Sequence, residues 1–147
     1  MKDVTALEWE KVHAVHDYYD CPRSGIADYH GVPHAYNCEW DKTADDWSRV
    51  FRLSPINDEQ LAAVKEEWSI WQRYLAKYHT GSLQPDDKHP ALAVDWERHK
   101  QLWDLFNAAV KVDEEISVRA IPEFRGSIRP NWDFEVRWLS KGNGCSP

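Results

Sequence analysis

The sequence is poor in sulfur. It holds three cysteines, Cys21, Cys38 and Cys145, and a single methionine. An odd cysteine count without C-x-x-C spacing does not suggest a disulfide framework or a zinc knuckle. No apolar run approaches the roughly 18 residues of a membrane-spanning helix. The first residues, Met1 to Thr5, offer no apolar core for a signal peptide. The expectation is a cytoplasmic protein with reduced thiols and no membrane partner. Positive charge is also scarce: 18 Lys and Arg face 25 Asp and Glu, for a net charge of −7. The bases form no stripe able to neutralise phosphates, so no nucleic-acid partner is expected. The acids are interleaved with bases, which excludes a nucleic-acid mimic as well. A P-loop, G-x-G-x-x-G, H-E-x-x-H, an EF-hand loop and a G-x-S-x-G elbow are all missing, and with them the phosphate-cradling, metalloprotease and serine-hydrolase chemistries they serve.

What the chain has in excess is aromatic: nine Trp, six Tyr and four Phe among 147 residues. At this size about two-thirds of the unfolded chain's surface can be buried, enough for a core without disulfides or metal. The expected organisation is a single domain over residues 1–140 with a flexible tail at 141–147.

The clearest element is a helix over about 58–79. Asn57 is its N-cap, Gln60 closes a capping box, and Gly81 follows its end. Its apolar seam is Leu61, Val64, Trp68, Trp71, Leu75 and Tyr78, at helical spacing. A second helix is expected from Pro90, with a seam of Leu92, Trp96, His99, Trp103, Phe106 and Val110. The short connection makes the two an αα-hairpin. Period-two alternation marks strands around 116–121 and 132–139, joined by 122–131, and another at 47–53. Residues 26–30 and 34–40 read as a hairpin about Gly31-Val32-Pro33, and 10–16 as a further strand. The expected fold is α+β: an antiparallel β-sheet of about six strands, in the order β-β-β-β-α-α-β-β, with the αα-hairpin packed on one face.

The densest polar stretch runs from His16 to Gly25 and reads as a loop. It carries Asp17, Tyr18, Tyr19, Asp20 and Arg23, with Asp28, His30 and His34 close behind. An arginine among carboxylates can clamp a charged ligand, and two tyrosines can line a pocket. The bland alternative is an ordered turn in which Asp20 and Arg23 satisfy local partners. His13 and His16 on a strand point to opposite faces. His34 and Cys38 sit about 13 Å apart along one strand. Neither pair can close on one ion, so no metal and no cofactor are expected. Cys21, near His16 and Arg23, has neighbours that favour a thiolate, but no oxyanion-hole pattern accompanies it. His99 interrupts an apolar seam; a core histidine bonded to a backbone carbonyl or a sheet side chain is expected over a base in a pocket floor. Six tryptophans (Trp68, Trp71, Trp96, Trp103, Trp132 and Trp138) fall on apolar faces and read as core, leaving Trp9, Trp40 and Trp47 unassigned.

Three functions follow. The preferred one is a small binding or interaction protein that uses an aromatic and acidic surface around residues 16–40. There Tyr18, Tyr19, Arg23 and Trp40 would hold a protein partner or small molecule. The second is a small enzyme with a carboxylate–histidine acid/base site drawn from Asp17, Asp20, Asp28, His30 and His34, with Arg23 on an anionic substrate group. The third is a structural homodimer subunit.

Overall fold

A computed structural model describes residues 8–128 and 132–140. The expected tail at 141–147, with Cys145, lies outside the described residues. The chain divides into two compact units: Met1–Ile56 with Val110–Pro147, and Asn57–Ala109.

Among the described residues, the regular elements of the first unit are six strands and one short 3₁₀ turn. β1 (Glu10–Tyr19), β2 (Cys21–Tyr29), β3 (Val32–Asp41), β4 (Asp46–Pro55), β5 (Val118–Ser127) and β6 (Asp133–Ser140) are antiparallel and close into a barrel in chain order. The class is therefore α+β with an antiparallel sheet, but the sheet expected to carry an αα-hairpin on one face closes into a barrel instead. Closure comes from Glu10 and Lys11 of β1 pairing with Val136 and Glu135 of β6. A closed sheet has no free edge to shield, and its inner face is filled by its own side chains. Tyr36, Phe51, Phe124 and Trp138 meet there with ring centroids 5.8–6.3 Å apart. Ring pairs of this kind contribute about 0.5–1.5 kcal/mol each beyond area burial.

Several strand boundaries also change. The stretch expected as a loop at 16–25 is strand on both sides of Asp20, which alone turns the chain at φ 59°. Pro22 and Gly25 suggested a loop, yet each pairs across to β1, Pro22 with Tyr18 and Gly25 with Val15. Gly25 is needed for closeness: a β-carbon there would lie 2.2 Å from the Ala14 carbonyl oxygen. The β2–β3 turn is His30-Gly31, both at positive φ (53° and 79°), which matches the twist of a two-residue hairpin. The expected link at 122–131 is mostly β5, whereas Ile116 lies in a short 3₁₀ turn, Glu114–Ile116, and is 57% exposed. Trp132 sits at φ 57° before β6 begins. Opposite each other in register, Arg52 and Arg119 repel, and Glu39 of β3 bridges them at 2.9 and 2.7 Å.

The second unit is a helix pair, α1 (Asp58–His79) and α2 (Trp96–Ala109), with a 3₁₀ turn at Ala93–Asp95 leading into α2. Both halves of the Asn57–Gln60 capping box form. The second helix starts six residues after Pro90 because Lys88 and Ala91 first pair with each other. The buried residues of α1 are Ala63, Val64, Glu67 and Ile70; Ala63 and Ile70 pack with Ala91 and Leu102, and Glu67 meets His99. This buried face is rotated from the expected seams, so Tyr78 and Trp103 are 60% and 47% exposed, which corrects Trp103 as a core residue. Glu66–Arg98 and Arg73–Asp95 ion pairs tie the helices together on the outside.

Candidate functional site

At one end of the barrel two of the strand ladders, β2–β3 and β4–β5, stop early. β2 and β3 pair only as far as Ser24 and Asn37, although β2 begins at Cys21 and β3 runs to Asp41. β4 and β5 pair only from Phe51 to Leu53 against Ala120 to Val118. Before Phe51 and beyond Ala120 these two strands are not paired with each other among the described residues. The sequence supplies the cause. Pro122 has no N–H to give, and a proline within a strand turns its nitrogen to an unpaired edge. On the facing strand the Ser48 hydroxyl accepts from Val50 N–H at 3.0 Å and donates to Val50 C=O at 3.1 Å. The Val50 backbone is thereby satisfied locally, where the β3–β4 register also shifts between Cys38 and Trp40.

The parted strands frame a cleft of about 470 Å³. Its apolar side is Phe51, Ile121, Pro122 and Phe124 with the Trp47 ring, and its polar side is Tyr19, Asp20, Arg23, Asp46, Ser48 and Arg49. Alternation along β2 turns Arg23 inward with Cys21, and its side chain is only 12% exposed. Its guanidinium is fixed on three sides. Nε donates to the Tyr19 carbonyl at 3.1 Å, Nη1 to Cys38 Sγ at 3.2 Å, and Nη2 to Asp20 Oδ1 at 2.6 Å. It lies 5.3 Å from the Trp47 ring centroid, within cation–π range. Arg23 thus bridges the strands where their ladder has ended.

Burial pushes the Cys21 thiol up to about 11, outweighing the Arg23 charge that favours a thiolate. Cys38 is raised for the same reason, against its bond from Arg23. Both are thiols at neutral pH, and the thiolate that the neighbours of Cys21 suggested does not form. Deeper in the barrel, burial raises Tyr36. Its hydroxyl is buried with no hydrogen-bond partner among the described residues.

The residues singled out from the sequence are not gathered in one place. Tyr19, Asp20 and Arg23 line the cleft, and Trp40, 48% exposed, meets Trp47 edge-on at 5.2 Å. Tyr18 turns the other way, against Trp132 and Phe134. Asp17 is exposed on β1. Asp28 lies eight residues from Asp20 along β2, about 26 Å at the usual strand rise. There it binds buried His13 at 2.8 Å. His30 is in the β2–β3 turn, where the Glu10 carboxylate accepts from His30 and Gly31 N–H at 3.1 and 2.7 Å. His34 is buried with Nδ1 2.7 Å from the Val32 carbonyl. Among the described residues no three His, Cys, Asp or Glu side chains gather as a metal site.

Sequence reasoning left Trp47 unassigned and passed over Arg49, though both line the cleft and sit on the alternating Trp47, Arg49, Phe51, Leu53 face. A charge on an otherwise apolar strand face was the available signal. The partner of His99 was missed as well. Its Nδ1 lies 2.9 and 2.8 Å from the two Glu67 oxygens, both residues are buried, and the Trp96 and Trp103 rings flank the imidazole at 5.3 Å. Burial raises Glu67, with the His99 bond opposing.

No helix among the described residues is long and apolar enough to cross a membrane. Compared with protein-family models, with curated proteins and with solved structures, the chain finds no match.

Proposed function

We propose that the protein is a small-molecule-binding protein whose site is the cleft between β4 and β5. The observation that carries this reading is Arg23, a guanidinium held inside the open barrel end by three protein acceptors and stacked on Trp47. Orienting a charge costs nothing further once a ligand arrives, which is what a preorganised site requires. A cleft of about 470 Å³ with aromatic walls and a few fixed polar groups has the size and make-up of small-ligand sites. Tyr19 and Trp40 form part of the exposed rim, at 66% and 48% exposure. The roughly 26 Å between Asp20 and Asp28 counts against a shared acid/base site, since proton transfer needs hydrogen-bond contact with one substrate atom.

The test is an NMR screen of the full chain against a small-molecule library. Bound molecules should shift the Trp47 indole N–H and the Arg23 Nε–H together. Responders that move neither signal, or a library with no responder, would overturn the reading.

A further inference from the structure

We infer that the occupant of this cleft is a monoanion on a flat apolar body, an aromatic carboxylate, with Arg49 as its counter-ion. This rests on the reading above and adds the ligand's class. Four charged side chains line the cleft. Asp20 is engaged by Arg23 at 2.6 Å. Asp46 Oδ1 accepts from Trp47 N–H at 2.7 Å. The side chain of Arg49, which is exposed, makes no ion pair or hydrogen bond among the described residues. The lining holds two acids and two bases, and Arg49 is the cation among them that no acid of the cleft engages, which leaves it to meet an anionic group. A dianion would find no second cation of that kind and would face the carboxylates of Asp20 and Asp46. Arg23 commits three of its five N–H groups to the protein and retains two for an acceptor in the cleft.

The rest of the lining selects the body that carries the charge. Trp47, Phe51 and Phe124 present rings, and Pro122 adds an apolar surface with no donor. A flat ring fits between such walls by offset or edge contacts. An arginine favours carboxylate over a neutral amide of the same shape, because its fork matches two oxygens and its charge meets theirs.

The experiment is calorimetric titration of the full chain with three probes: indole-3-carboxylate, indole-3-carboxamide and phenyl phosphate. The carboxylate should bind about tenfold or more tighter than the carboxamide and tighter than the phosphate. Arg49→Gln should bring the carboxylate-to-carboxamide ratio close to one. Arg98→Gln, an equal charge change in the helical unit, should leave the ratio as it is. Equal affinity for carboxylate and carboxamide, or discrimination that survives Arg49→Gln, overturns the carboxylate assignment while leaving the cleft a binding site. Phenyl phosphate as the tightest probe overturns the monoanion. Binding of none of the three overturns both this inference and the reading it rests on.

Discussion

The two ends of the barrel carry similar residue types and use them in opposite ways. At the β2–β3 end, polar groups close on one another: Asp28 on His13, Glu10 on the turn N–H groups, His34 on Val32, and Trp138 Nε1 on the Asp28 carbonyl at 2.9 Å. The ladder there runs to the turn, from Ser24–Asn37 to Tyr29–Val32. At the β1–β2 end two ladders, β2–β3 and β4–β5, stop short of the strand ends, Tyr19 and Trp40 are exposed, and Arg23 spans a gap. Density of His and Asp in the sequence marks the closed end, where those groups do structural work. The cleft is marked instead by what interrupts pairing, Pro122 and Ser48.

The most damaging way to break this contrast is at the waist shared by both ends. Gly25→Ala places a β-carbon against the Ala14 carbonyl and 3.0 Å from the Tyr36 hydroxyl. Backbone must move, and chemical denaturation should show a loss above about 3 kcal/mol. Next comes the closed end alone. Asp28→Ala leaves His13 buried without its partner and should cost about 2 kcal/mol, while small-molecule affinity at the cleft stays unchanged. A change in affinity there would mean that the ends are not independent.

A smaller effect sharpens the role of the interrupters. Combining Ser48→Ala with Pro122→Val frees the Val50 backbone groups and restores a donor on β5. The strands should then pair further, with a gain of about 0.5–1.5 kcal/mol and slower amide exchange at Val50. Probe binding should weaken. Unchanged exchange at Val50 would show that something else holds the strands apart.

The mildest expectation for folding concerns Cys21. Its thiol moves from an ordinary value of 9.0 to about 11 on burial. The folded form therefore holds its proton where the unfolded form loses it. The associated stability is complete below about pH 9 and is lost as pH rises through about 11. At pH 8 the thiolate is rare, so alkylation of Cys21, followed by peptide mass mapping, should run about two orders of magnitude slower than for a free cysteine. Alkylation at the free rate would contradict the buried thiol.

Local signals in the sequence were the legible ones. The Asn57–Gln60 capping box marks the start of α1, and strict alternation marks β4 and β6. Barrel closure was not legible, because it rests on two register pairs between Glu10–Lys11 and Val136–Glu135, at opposite ends of the chain. The Tyr18–Gly25 stretch misled because proline, glycine and aspartate read as loop, while here Asp20 turns, Pro22 packs and Gly25 makes room. Arg23 was legible as a charged residue among aromatics, and it lines the cleft. Its position inside a barrel, beside Trp47 and Arg49, needed the three-dimensional pairing of strands 25 residues apart along the chain, Arg23 to Ser48. Glu67 escaped for a related reason: helical periodicity locates His99, but not the acid on the neighbouring helix that faces it.

Hydrogen–deuterium exchange of the full chain, with and without saturating indole-3-carboxylate, tests the central claim most directly. The account predicts protection confined to residues 19–23, 46–51 and 121–124, with the 28–34 end unchanged. Protection centred on residues 28–34, or none anywhere, would contradict it.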